Sequence, residues 1–139
     1  MIVFVACGKL KEDHPCMAKD MYIGRIFKKS MTYAKLMNPR VIYILSAKYG
    51  LLELTDTISP YNQTLTPQTK NKKKRWAIMV YRQMTSKGID FNEEAVFLCG
   101  RAYDMYLSNL FPHHSNPLHG LQMGRREAYL TKEIAKCTQ

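Results

Sequence analysis

Three short runs, 2–6, 41–45 and 95–98, are apolar at every position, and between them lie stretches whose apolar residues recur every three or four positions. A run with no polar alternation cannot be a strand with one wet face; it suits a strand covered on both faces. Helices joining such strands give right-handed crossovers and place the strands parallel, with all their carboxyl ends on one edge of the sheet. The expected fold class is therefore α/β, a single three-layer α/β sandwich with a mostly parallel sheet. At 139 residues the chain has the length of one domain with one core, spanning 1–139.

Helical periodicity is clear over 21–37, where Tyr22, Ile26, Phe27, Met31 and Ala34 share a face and Asn38-Pro39 stops the pattern. A second helix is expected over 67–86, with Pro67 in its first turn and Trp76, Val80 and Met84 inward. The spacing of Tyr103, Tyr106, Leu107 and Leu110 predicts a third, and 120–136 reads as a last helix. The segment 51–66 reads as an irregular connection or short edge strand, and 111–119 as a loop.

Each apolar run ends in small residues followed by a cation: Cys7-Gly8-Lys9, Ser46-Ala47-Lys48 and Cys99-Gly100-Arg101. In open parallel sheets ligands bind outside the carboxyl ends of the strands, where glycine lets backbone N–H groups approach closely. Gly8, Lys9, Lys48, Gly100 and Arg101 are therefore candidate ligand-binding residues. Gly124 and Arg125, in the Gly120-Leu121-Gln122-Met123-Gly124-Arg125-Arg126 start of the last helix, join them as a candidate phosphate site, with Arg126 as the alternative arginine. Cys7 and Ser46 stand where a nucleophile would, and Asp20 and Glu53 are the acids expected to orient or activate water, with Asp104 near the third strand end. No Rossmann fingerprint, P-loop or Gly-x-Ser-x-Gly elbow occurs, so no cofactor is expected.

Charge narrows the partner. The chain has 21 Lys plus Arg against 11 Asp plus Glu, a net of +10, which favours DNA, RNA or a nucleotide. Lys72, Lys73 and Lys74 lie in the densest basic block, 70–75, and are expected to steer a nucleic acid toward the strand ends. No apolar run approaches the roughly 18 residues a membrane span needs, and no signal-peptide pattern opens the chain, so a cytoplasmic protein is expected. The four cysteines form no Cys-x-x-Cys pair, which argues against a disulfide framework and a zinc site.

Five segments taken together resemble a family of small bacterial and phage proteins called YaaA-like or peroxide-stress-like. They are Cys7-Gly8-Lys9, Ala18-Lys19-Asp20-Met21-Tyr22, the run from Ile44 to Leu52 containing Leu-Ser-Ala-Lys-Tyr-Gly-Leu-Leu, the run from Ile58 to Leu65, and Pro117 to Gly124. The turn after the first strand is also similar to one in a domain of archaeal tRNA-base-modifying enzymes, itself similar to the uracil-DNA glycosylase fold. The resemblance implies an α/β sandwich with a base- or nucleotide-handling pocket; the Gly-Gln-Asp-Pro water-activating motif of the glycosylases is absent. The expected function is an enzyme acting on a nucleotide or nucleobase at an N-glycosidic bond, with Tyr49 or Tyr61 stacking on the base. The alternatives are a noncatalytic DNA- or RNA-binding protein and a protein-binding regulator.

Overall fold

The structure, a computed structural model, describes residues 1–138. Its elements are β1 (Ile2–Ala6), β2 (Cys16–Met17), α1 (Ala18–Met21), α2 (Arg25–Leu36), β3 (Val41–Ser46), β4 (Gly50–Glu53), β5 (Thr57–Ile58), α3 (Lys70–Ser86), β6 (Ala95–Leu98), α4 (Arg101–Asp104), β7 (His114–Ser115) and α5 (Met123–Cys137), with a 3-10 turn at Ser108–Leu110. The sheet order is β4-β3-β1-β6-β7; β1 is parallel to both neighbours, β7 is parallel to β6, and β4 is antiparallel at one edge. This is the expected α/β sandwich.

The all-apolar runs occupy the centre because both faces of the sheet are covered. Ile2, Phe4, Tyr43, Leu45 and Phe97 pack with Trp76, Val80 and Met84 of α3. Val3, Val5, Ile44, Val96 and Leu98 pack with Phe27, Met31 and Ala34 of α2 and Leu130 of α5. The exposed edge of β4 is blunted by side chains that replace a neighbouring strand. The Gln83 amide accepts from Leu51 N–H at 2.7 Å and donates to the Tyr49 carbonyl at 3.0 Å, while the Asp56 carboxylate accepts from Glu53 N–H at 2.9 Å. Gly50, at φ +75°, allows this, since a Cβ there would meet Gln83 Oε1.

Several boundaries differ from the sequence reading. The helix expected from residue 21 starts at Arg25, because Tyr22 is extended and separates it from the single turn of α1. The helix expected from Pro67 starts at Lys70, where Thr69 caps it by accepting from Lys72 N–H at 3.2 Å. After β6 the chain makes two short turns instead of one helix, and the last helix begins at Met123 because Gly120 adopts φ +77°. The region 51–66 holds β4 and β5, the latter pairing with β2, and 111–119 holds β7. No helix among the described residues is long and apolar enough to cross a membrane.

Candidate functional site

From β1 the chain steps to β3 on one side, then crosses back to β6 on the other. The loops leaving β1 and β6 thus part in opposite directions, which opens a crevice at the topological switch point. A cavity of about 430 Å³ fills it, lined by 6–10 after β1, by 98–100 and Tyr103 after β6, by Gly24, Arg25, Ile26, Phe27 and Ser30 of α2 and its cap, and by Leu118, Met123, Arg126 and Glu127. Gln63, Thr64 and Thr66 close one side. They belong to an irregular segment pinned by two buried side chains, Tyr61 and Leu65, so that the residues between face the cavity.

Two groups in the walls bear on chemistry. The Cys7 thiol is half-buried, with the Tyr103 hydroxyl hydrogen-bonded to it at 3.3 Å. Burial pushes the Tyr103 phenol up, and a charged Cys7 thiolate pushes it further, so the phenol keeps its proton. Across the cavity, Arg126 Nε donates to the Leu121 carbonyl at 2.7 Å and Nη1 reaches Met123 Sδ at 3.5 Å. Its guanidinium lies against Gly100, where a Cβ would come within 3.1 Å of Nη1 and 3.3 Å of Nη2. Among the described residues no carboxylate pairs with Arg126. The cap of α5, Gln122, makes no side-chain bond to the first turn, so the leading amides of a 15-residue helix remain available at the same wall.

A family model matches residues 2–132. The chain belongs to the family of unknown function DUF6884. This DUF6884 chain is 30% identical over 144 residues, 99% of its own length and 95% of the relative's, to the uncharacterized protein YfjM of Bacillus subtilis (strain 168). No solved structure matches it.

Of the residues singled out in the sequence, Cys7, Gly8, Lys9 and Gly100 are brought together in the DUF6884 cavity. Ser46 is not. Its hydroxyl is fully buried, 2.7 Å from the Tyr61 hydroxyl, and accepts from Tyr49 N–H at 3.0 Å and Lys48 N–H at 3.3 Å, so it ties a turn and is no free nucleophile. Tyr61 also bonds Tyr22 at 2.7 Å between the two hydroxyls, and the Lys11 ammonium sits 4.4 Å above its ring. Buried in that network, Tyr61 offers no face to a base. Burial drives the Tyr61 phenol up and Tyr22 to about 12, while desolvation lowers Lys11.

Tyr49 is bound through its hydroxyl to Ser59 at 3.3 Å, and Lys48, exposed, lies 5.3 Å over the Tyr49 ring; neither lines the cavity. Glu53 is paired with Tyr43 in the sheet, three residues back from the end of β3, and with Lys87 at 3.2 Å, which removes it from the crevice. Asp20 is exposed on α1, outside the walls. Arg101 points to Asp104, 3.6 Å away, and Gly124 and Arg125 are exposed on α5, outside the walls. Arg126 takes the role considered for Arg125, because the helix starts two residues later than Leu121 and turns its fourth residue inward. Asp104 is buried with Oδ2 accepting from Asn116 Nδ2 at 2.9 Å, and that amide also reaches the Cys99 carbonyl at 3.0 Å. Tyr103, Phe27, Gln63 and Thr64 also line the cavity without being candidates in the sequence; Gln63 and Thr64 lie within the quoted run from Ile58 to Leu65, while Tyr103 and Phe27 carry no signal beyond their helical spacing.

The four cysteines are free thiols, with the buried Cys99 held well above the ordinary thiol range by burial. Glu12, Asp13 and His14 bring potential ligand atoms within 4.8 Å of one another on an outer loop, where Asp13 already engages His14 at 3.1 Å.

Proposed function

We propose that the protein binds a nucleotide in the switch-point cavity and acts on it, the N-glycosidic bond being the bond attacked. The observation that supports this reading most is Arg126: a guanidinium partly withdrawn from water, without a carboxylate partner among the described residues, seated on a glycine that leaves it room. A half-exposed guanidinium with no carboxylate beside it keeps free N–H groups for an anion. Lys9 and the free amides at the start of α5 add to the same field, which suits a phosphate. The apolar wall of Phe27 and Leu118 suits a base, and about 430 Å³ is within the range of small-molecule sites. The resemblance to YaaA-like proteins and base-handling enzymes favours the same ligand class.

Cys7 is the reacting group in this reading. Its sulfur, beside the Tyr103 hydroxyl, attacks the anomeric carbon; the C–S bond forms as the C–N bond breaks, the electron pair leaves with the base, and the thiol proton passes through water to the base nitrogen. Water or an incoming base then releases the sugar. A second reading, binding without turnover, is favoured by the carboxylates: Asp20 and Glu53 stand outside the walls, and Glu127 is held by Lys29 at 3.0 Å and Arg25 at 3.2 Å. Incubation with nucleotides, DNA and RNA, followed by mass spectrometry, separates the two. Release of free base by the wild-type protein and retained binding without release by Cys7→Ala is the expected result. Binding without product across the panel leaves the second reading, and no binding at low salt overturns both.

A further inference from the structure

We propose that the ligand is a nucleotide within a single-stranded polynucleotide, and that a second hollow beside α3 receives the neighbouring phosphate. The proposal rests on the nucleotide reading above and adds the substrate class. The hollow, about 350 Å³, is lined by Ala47, Gln63, Thr64, Gln68 and Lys72. Gln63 and Thr64 are also walls of the switch-point cavity, so the two spaces share one piece of chain as a common wall.

That divider is built to stay in place. Tyr61 and Leu65 anchor it in the core, and Gln68 Nε2 donates to the Thr64 carbonyl at 3.1 Å, which closes the turn leading to α3. Its outward groups are amides and hydroxyls without charge, the kind that contact a sugar-phosphate backbone without fixing a sequence. Beyond it stands Lys72, exposed, whose backbone N–H is already used by Thr69, so that its ammonium is the group left to meet an anion. Lys70, Lys73, Lys74 and Arg75 continue the positive field along the same helix. A mononucleotide would use only the first cavity; a strand crossing Gln63 and Thr64 would use both. A base has to leave any stack to enter the first cavity, which a single strand allows at little cost.

The test compares 5′-mononucleotides, single-stranded DNA and RNA 12-mers and a 12-base-pair duplex by calorimetry and fluorescence anisotropy, on the wild type, Lys72→Ala and the control Lys35→Ala, an exposed lysine on α2. The single strands are expected to bind at least tenfold more tightly than the mononucleotide. Lys72→Ala should weaken strand binding three- to tenfold, lower the salt slope by about 0.7 for one lost single-strand phosphate contact, and leave the mononucleotide unchanged. The DNA and RNA arms identify the sugar. Mononucleotide binding with no gain for the strand, or equal effects of Lys72→Ala and Lys35→Ala, overturns this inference and leaves the nucleotide reading standing. Preference for the duplex also overturns it. Absence of binding by every probe overturns both.

Discussion

Replacing Ser46 by alanine should destabilise the protein without touching the reacting groups. The Ser46 hydroxyl holds three contacts: the Tyr61 hydroxyl at 2.7 Å, Tyr49 N–H at 3.0 Å and, more weakly, Lys48 N–H at 3.3 Å. Each net hydrogen bond contributes about 1 kcal/mol, and a buried donor left without a partner costs about 1–3 kcal/mol, so Ser46→Ala should cost about 2–3 kcal/mol in all. For a chain of this length that is a fall in Tm of roughly 7–10 °C, and a lower urea midpoint at unchanged slope. Tyr61→Phe takes a partner from both the Tyr22 and Ser46 hydroxyls but leaves the backbone donors of Tyr49 and Lys48 satisfied, so it should cost less alone, and the double variant should show a coupling of about 1 kcal/mol. Urea titrations of the four proteins, with ligand titration beside them, make the measurement. A loss below about 0.5 kcal/mol for Ser46→Ala, or full stability with abolished product release, would refute the structural role and restore Ser46 as a reacting group.

Gly50→Ala should be harsher still, about 2–4 kcal/mol by thermal unfolding, since it adds left-handed backbone strain and expels the Gln83 amide from the edge of β4. Gly100→Ala has ordinary extended dihedrals and should change stability by less than about 1 kcal/mol; by crowding Arg126 it should weaken mononucleotide binding measurably in calorimetry, and unchanged affinity would remove Arg126 from the site. Asn116→Ala should cost about 3 kcal/mol by leaving the buried Asp104 carboxylate without its donor, with Asp104→Asn recovering part of the loss in the double variant. Glu93 is held down to about 2, chiefly by its hydrogen bonds from Arg40 and then by those from the terminal ammonium. Its folded value lies below the unfolded one, so its stabilisation is present above about pH 4.5 and is lost as pH falls toward 2; acid titration of Glu93→Gln should show a shallower stability loss over that window, and an unchanged slope would exclude the pair as a contributor.

The sheet was legible because full burial leaves a direct mark on composition: 2–6, 41–45 and 95–98 had nothing polar to turn outward, and these became the three central strands. The edge strands left no such mark. β4 has four residues, buried at all but Glu53, and β7 has two, both exposed, so neither carries a period of two long enough to read. The helical pattern around Tyr103 to Leu110 was real as spacing and wrong as one helix. Asp104 and Ser108, both buried, sit among those apolar positions, and the chain breaks into two short turns around them.

The site was half legible for a topological reason. The small-residue-plus-cation motif occurs at three strand ends, and sequence alone treats the three as equivalent. Strand order does not. Because β6 lies beside β1 and not beside β3, only the turns after β1 and β6 face each other across the switch point, and the turn after β3 is cut off by the segment pinned through Tyr61. Lys48 therefore stays outside the cavity although it follows a strand end with the same small-residue-plus-cation pattern. Arg126, from a helix that starts 25 residues beyond β6, enters because α5 packs beside α2 and brings its first turn over Gly100. A glycine at that position has ordinary dihedrals, so its need is set by the guanidinium above it and not by its own backbone. That kind of constraint is invisible along the chain and appears only when two distant segments share a wall.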